Sequence, residues 1–163
     1  MKSPSTAFCL SVIAVCLIVA YSCKPAGISD TQLGNWLQAA AINAYPRANA
    51  VCFVIGDHAY VGLGYNETIS QPGRLADFWT FCVDSGWTQI QAFPGAPRSN
   101  AVGFSIGNYG YVGTGWDSYS VYNDFWQYDP AANVWTKKAD YIGGPRYDAV
   151  GFSVQGKGYI GTG

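Results

Sequence analysis

A short phrase that occurs three times constrains the fold of this chain more than any other feature of its sequence. The copies begin at positions 46, 97 and 145 and read PRANAVCFVIG, PRSNAVGFSIG and PRYDAVGFSV. Their arginines are spaced 51 and 48 residues apart. Each copy continues into a second phrase, YVGLG, YVGTG or YIGTG, and the first two copies add DFW and then a Trp-Thr pair. The chain therefore consists largely of one repeated unit of about 50 residues.

Each phrase has the composition of a short β-strand. The phrases mix β-branched and aromatic residues and are bounded by Gly, Asn, Asp or Pro. Between the first two phrases of each copy lie the sequences GDH, GNYG and QGKG, which suit tight hairpins. Four strands per period of about 50 residues is the pattern of a β-propeller blade. We therefore predict an all-β fold.

The phrases also resemble a known family, the kelch repeat of galactose-oxidase-type propellers. The agreement is closest to the variant of bacterial envelope lipoproteins, at NDFWQYDP over positions 123–130 and WTKKA over 135–139. The resemblance runs from position 36 to 163, and the first copy departs from it at Cys52, Val54 and Cys82. It implies kelch-type blades of four antiparallel strands. It also implies a binding scaffold more often than an enzyme.

The domain boundaries follow from the repeat register. The repeats are predicted at 46–96 (repeat 1), 97–144 (repeat 2) and 145–163 (partial repeat 3). Residues 36–45 are predicted as an orphan fourth strand because Trp36 stands one period before Trp87, although residues 37–44 have a helix-forming composition. A closed propeller needs at least about four blades, so we expect an open arc of about two and a half blades. Missing blades or another chain would be needed to close the ring.

The N-terminal residues have the pattern of an export signal. One lysine precedes an apolar run over positions 7–21, which is shorter than the ~20 residues that span a bilayer core. The small residues before Cys23 resemble the lipobox of bacterial lipoproteins. We expect a signal peptide over 1–22, a lipid on Cys23 and a polar tether within 23–35, with export to a bacterial outer membrane or surface. Membrane attachment would then be through this lipid only, and ordinary secretion is the alternative.

Two cysteines remain for the repeats, Cys52 and Cys82. The register places them on the first and third strands of one blade. Strands two apart in a sheet are about 10 Å distant, and the Cα atoms of a disulfide lie within ~7 Å of each other. We therefore predict no disulfide between them.

Charge and composition exclude nucleic acid as a partner. The formal net charge is −1 and charged residues make up 12% of the chain, so a basic footprint for DNA or RNA is lacking. Aromatic residues make up 16% of the chain. We expect most of them to pack between neighbouring blades rather than to stack on a ligand.

Candidate ligand-binding residues lie in the variable loops that join the second strand to the third. These are Arg74, Trp116, Tyr119 and Tyr122. Three further candidates recur once per blade, Arg47, Arg98 and Arg146. A ring of such guanidinium groups would suit carboxylates or anionic glycans. The alternative, which we favour, is that each arginine binds backbone carbonyls or an aspartate such as Asp77 or Asp124 at a blade junction.

The sequence offers little for catalysis. Its one histidine, His58, lies in a predicted hairpin turn, and no Cys/His cluster has zinc spacing. The copper-radical oxidases that share the kelch fold need two histidine ligands, so the resemblance does not extend to their site. We expect no catalytic residue, metal or cofactor, and a binding module for a protein or glycan. The alternative is a fragment of a carbohydrate-active propeller enzyme, such as a sialic-acid mutarotase-like protein, with its catalytic residues in missing blades.

Overall fold

A computed structural model describes residues 38–69 and 73–163, which contain ten β-strands of five residues each and no helix. The strands are, in chain order, β1 (Val51–Ile55), β2 (His58–Gly62), β3 (Phe78–Cys82), β4 (Gly86–Ile90), β5 (Val102–Ile106), β6 (Tyr109–Gly113), β7 (Phe125–Asp129), β8 (Val134–Lys138), β9 (Val150–Val154) and β10 (Lys157–Gly161).

The strands form two four-stranded antiparallel sheets and one two-stranded sheet. Blade 1 has the order β1-β2-β3-β4, blade 2 has the order β5-β6-β7-β8, and β9 pairs with β10. The inner hairpins share one register, with Val51 opposite Gly62 in blade 1 and Val102 opposite Gly113 in blade 2. The predicted all-β fold of four-stranded antiparallel blades in an open arc is confirmed, with two complete blades and two strands of a third.

Local sequence sets the strand ends through turns that need a left-handed backbone. Gly56 and Gly107 have φ angles of +60° and +57° in the β1–β2 and β5–β6 turns. Between β7 and β8, Asp129 Oδ1 accepts the Ala131 N–H at 2.9 Å, and Asn133 has a φ of +53°. Gly, Asn and Asp adopt these conformations at low cost.

Successive blades pack a large side chain of one inner hairpin onto a glycine of the next. A Cβ on Gly103 of β5 would lie 2.3 Å from the Val51 side chain, and one on Gly110 of β6 would lie 2.2 Å from the Phe53 ring. Blade 2 meets β9 and β10 through glycines in the same way. The repeated glycines are therefore required where one blade approaches the next.

Blade 1 lacks both of these glycines on its own face. Cys52 and Ala59 stand one period before Gly103 and Gly110. Cys52 and Ala59 each carry a Cβ, which the glycines lack at the positions where blade 2 receives Val51 and Phe53. Cys52 is exposed, and Cys52 and Cys82 are both free thiols. They lie on β1 and β3 with β2 between these strands, as the register predicts.

The core lies between blades 1 and 2. Its buried members come from both blades and are Val51, Phe53, Tyr60, Leu63, Phe78, Phe93, Val112, Tyr128 and Trp135. The Trp135 ring centroid lies 5.0 Å from that of Phe78, 5.4 Å from that of Phe93 and 4.9 Å from that of Tyr128. Aromatic side chains therefore pack between the two blades, as predicted.

Residues 38–45 form neither a strand nor a helix, which corrects the predicted orphan strand for this stretch. The repeat register is nevertheless kept. The Trp87 indole N–H donates to the Ala40 carbonyl at 2.8 Å, and the Trp135 indole N–H donates to the Gln91 carbonyl at 3.0 Å. Gln91 directly follows β4, so Ala40 corresponds to the start of a linker rather than to the middle of a strand.

Residues 1–37 lie outside the described residues. They carry the predicted signal peptide, Cys23, the tether and the first two residues of the predicted orphan strand. Within the described ranges, no helix is long and apolar enough to cross a membrane.

Candidate functional site

The three repeated arginines hold the loop that follows the second strand of each blade. Each guanidinium donates to the carbonyl of the middle residue in a Gly-x-Gly phrase, at 3.1 Å for Arg47, 3.0 Å for Arg98 and 2.9 Å for Arg146. Because the arginine lies just before the first strand, this hydrogen bond links the segment before the first strand of a blade to the segment after its second strand.

Two of these arginines also form two-point ion pairs with an aspartate. Arg47 donates to both oxygens of Asp77, at 3.0 and 2.6 Å, and Arg98 pairs with Asp124 in the same way. An indole N–H two residues along the chain donates to the same carboxylate, at 2.7 Å in blade 1 and 2.9 Å in blade 2. Burial by itself would raise the pKa of each carboxyl, but the hydrogen bonds from arginine and indole outweigh it and leave both pKa values below their usual range.

The burial of these pairs favours a structural role. The Arg98 side chain is 0% exposed and that of Arg47 is 7% exposed, so neither presents its guanidinium to solvent. Arg146 has no carboxylate partner in the described ranges and donates only to backbone oxygens, including Gly143 at 2.6 Å. The geometry of all three arginines thus matches the role that we favoured from the sequence, in which each binds backbone carbonyls or an aspartate.

A different arginine, Arg74, lies between two aromatic rings. Its guanidinium carbon is 4.4 Å from the Tyr65 ring centroid and 4.7 Å from that of Trp116. The Trp116 ring lies in turn 5.9 Å from the Tyr147 ring. This ladder of a cation and three rings crosses from blade 1 through blade 2 to the residues that precede β9.

The ladder forms one wall of a cleft of about 420 Å³, which we call the Arg74 cleft. This volume lies within the range of small-ligand sites. Its lining residues come from all three repeats and are Asn49, Tyr65, Arg74, Asn100, Trp116, Ser118, Tyr147 and Asp148. A larger groove of about 610 Å³ borders Arg74 beside residues 43–46. Among the described residues that line this groove, Asp77 is the only other charged one, and Arg47 already pairs with it.

Backbone pairing just beyond the second strand positions the ladder. Tyr65 exchanges two hydrogen bonds of 2.9 Å with Ala48, and it forms a β-bridge to Arg74. Trp116 makes the equivalent bonds in blade 2 and forms its bridge to Val121. Arg74 therefore takes the place that a valine has in the next blade, on the same local backbone.

The polar floor of the cleft links successive blades. Asn49, Asn100 and Asp148 have left-handed φ angles of +53°, +58° and +55°. The Asn100 N–H donates to the Asn49 carbonyl at 3.1 Å, and the Asp148 N–H donates to the Asn100 carbonyl at 3.2 Å. The Asn100 amide also donates to one oxygen of the Asp148 carboxylate.

Arg74 is the charge that the cleft leaves open to a ligand. None of the ion pairs found in the described residues includes it. A guanidinium forks around a carboxylate through two N–H donors. The aromatic rings beside it offer flat apolar surfaces, while the asparagine, serine and tyrosine side chains offer hydrogen bonds. Such a cleft can hold an acidic group attached to a ring-shaped polar molecule.

The cleft unites only two of the predicted site residues, Arg74 and Trp116. Tyr119 is 82% exposed and lies outside it. The Tyr122 ring lies 3.9 Å from the Arg98 guanidinium, and its hydroxyl donates to Asp117. That hydrogen bond is the main reason that the pKa of Tyr122 is raised. Tyr122 therefore packs on the Arg98 pair.

Sequence reasoning missed the other members of the ladder and the floor. Tyr65 directly follows a Gly-x-Gly phrase, as the predicted site residue Trp116 does. This shared position is the signal that could have identified Tyr65. Asn49, Asn100 and Asp148 each stand two residues after a repeated arginine. A polar residue that recurs at this position is the signal that could have found the floor.

Comparison with known proteins supports the architecture. No protein-family model matches the chain, and no curated protein matches it. Among solved structures, that of YjhT matches with a TM-score of 0.60 and 25% sequence identity. The fold is that of a β-propeller. The match covers 71% of this chain and 34% of YjhT, so the chain spans about a third of the length of that protein.

Proposed function

We propose that this chain is an exported, lipid-anchored kelch-repeat module that binds an acidic glycan in the Arg74 cleft and catalyses no reaction. The observation that carries the proposal is the guanidinium of Arg74, which lies between Tyr65 and Trp116 without a carboxylate partner in the described residues.

The shape and chemistry of the cleft favour a glycan over a protein. The Arg74 cleft is a concave site whose volume of about 420 Å³ suits a small ligand. Sugars present an apolar C–H face to aromatic rings and hydroxyl groups to amides. A uronic or sialic acid adds the carboxylate that the guanidinium needs.

Calorimetric titration of the full chain with acidic oligosaccharides and their neutral counterparts tests the proposal. We expect measurable binding of an acidic member. Trp116→Ala removes one wall of the ladder and should cost about 2 kcal/mol, a roughly 30-fold loss of affinity. Tyr119→Ala is the matched control, because it deletes an exposed aromatic ring outside the cleft. Equal losses in the two variants, or no binding of any acidic sugar by the folded protein, would contradict the proposal.

The enzyme alternative can be examined in the same sample. Incubation with anomerically pure sialic acid should leave the rate of mutarotation unchanged if the chain is a binding module. A rate that rises in proportion to protein concentration would instead favour a fragment of a carbohydrate-active propeller enzyme.

Further blades or another chain complete the working protein in this proposal. The support is the third sheet, where Phe152 of β9 is 53% exposed, while its equivalent Phe104 in β5 is 7% exposed. The membrane anchor is proposed from the residues around Cys23. A lipid there would display the blades at the cell envelope, where glycans are abundant.

A further inference from the structure

Three potential metal ligands meet at the end of blade 1 that lies away from the Arg74 cleft. Asp57 lies in the β1–β2 turn, His58 begins β2 and Cys82 ends β3. Their ligand atoms all lie within 4.8 Å of one another, and His58 Nδ1 is 2.6 Å from Asp57 Oδ1. The register explains the proximity, because Ala59 lies opposite Phe81 and the next pair outward is His58 with Cys82.

We propose that Asp57, His58 and Cys82 form a Zn²⁺ site whose fourth ligand comes from solvent. Thiolate, imidazole and carboxylate are the donors that Zn²⁺ takes, at about 2.0–2.3 Å, so neighbouring donors of a tetrahedral site lie about 3.3–3.8 Å apart. The donor atoms of the three residues lie within 4.8 Å of one another, so small side-chain movements bring them to this spacing. Zinc binding opens the Asp57–His58 contact slightly and releases the Cys82 thiol proton to solvent, while His58 binds in its neutral form.

The surroundings leave room for the ion and its water. The His58 side chain is 42% exposed and that of Asp57 is 84% exposed. An ion can therefore reach the site from solvent without opening the sheet, and a water molecule can occupy the fourth position. Such an open position is the arrangement that distinguishes three-residue zinc sites from closed structural ones.

The second repeat shows that the fold does not require these residue types. The equivalent positions in blade 2 are Asn108, Tyr109 and Asp129, which build the same hairpin and the same strand pairing. Blade 2 thus has neither the thiol nor the imidazole. The three donors are therefore a feature of blade 1 alone, added to a scaffold that folds without them.

Protection of the Cys82 thiol tests the site directly. The full chain is treated with iodoacetamide under a non-thiol reductant, with Zn²⁺ or with a chelator, and alkylation is followed by peptide mass spectrometry. We expect Zn²⁺ to slow the alkylation of Cys82 by about tenfold or more, since a metal-bound thiolate is withdrawn from reaction. Cys52 is exposed on β1 and serves as the internal control, with the same rate in both conditions.

Blade 2 supplies variants that preserve the hairpin. His58→Tyr and Asp57→Asn each introduce the residue found at the equivalent position of the second repeat, and each should abolish or greatly weaken the protection of Cys82. Cys52→Ser should retain it. The proposal is overturned if Cys82 reacts equally fast with and without Zn²⁺. It is also overturned if protection survives in His58→Tyr, because Cys82 would then bind the ion without the site.

Discussion

Removing the negative charge of Asp124 should destabilise the protein more than removing that of any exposed acid. Asp124→Asn keeps the size of the side chain but leaves Arg98 with a charge and no counter-charge. The Arg98 side chain is 0% exposed and that of Asp124 is 17% exposed. Loss of one partner from a buried pair costs about 3–5 kcal/mol, and the partial exposure of Asp124 places this case near 3 kcal/mol.

Urea unfolding followed by tryptophan fluorescence measures this loss. With slopes of about 1–3 kcal/mol per molar urea, the midpoint should fall by about 1–3 M. Asp140→Asn is the matched control, because its ion pair with Lys137 is 3.6 Å long and about half exposed on both sides. It should change the stability by about 0.5 kcal/mol or less.

Two outcomes would refute this reasoning. If Asp124→Asn and Asp140→Asn had the same midpoint, the Arg98 pair would not hold the blade junction. If Asp124→Asn kept full stability but lost affinity for a glycan, Arg98 would belong to a ligand site. Should Asp124→Asn fail to fold, Trp126→Phe removes the indole donor to Asp124 together with part of the ring that packs against Phe93, and it should cost about 1–3 kcal/mol.

Three further predictions concern packing, pH and the anchor. Gly113→Ala would place a Cβ 2.0 Å from the Phe125 ring and should lower the free energy of unfolding in urea by about 1–3 kcal/mol. At Gly161 nothing lies within 4 Å of the corresponding Cβ, so Gly161→Ala should be nearly neutral. The folded-state pKa of Asp124 is depressed. The contribution of Asp124 to stability is therefore present above its unfolded pKa of about 3.9 and is lost as pH falls through the lower folded value. The urea midpoint of the wild type should fall more steeply below about pH 4 than that of Asp124→Asn. Cys23→Ser should abolish the incorporation of labelled fatty acid in a bacterial host, and unchanged labelling would show that Cys23 carries no lipid.

The blades could be predicted from the sequence because each strand is short and bounded by turn residues. Gly56 and Gly107 fix the inner hairpins locally, and the repeated arginines supply the register. The stretch before Pro46 was harder, since its register depends on one indole hydrogen bond to the Ala40 carbonyl. Such a contact preserves the spacing of a repeat without the backbone pairing of a strand.

The Arg74 cleft was only partly predictable, since it joins residues of three repeats. Arg74 has Val121 as its counterpart in the next repeat, so comparison of the copies does not show its role. Its position between Tyr65 and Trp116 follows from blade packing, which places neighbouring loops side by side. The Asp57–His58–Cys82 cluster depends on strand pairing in the same manner, because its cysteine lies 24 residues from its histidine.

A thermodynamic cycle between Arg74 and the carboxylate of the ligand shows whether the Arg74 cleft binds an acidic glycan. Affinities are measured by calorimetry for an acidic sugar and its methyl ester, with the wild type, Arg74→Gln and the charge-matched control Lys157→Gln. A hydrogen bond to a charged group contributes about 1.5–3 kcal/mol, so Arg74→Gln should bind the acid about tenfold or more weakly and the ester almost unchanged. Lys157→Gln should alter neither affinity. Equal effects of Arg74→Gln on acid and ester, or none on either, would contradict the assignment of the cleft as an acidic-glycan site.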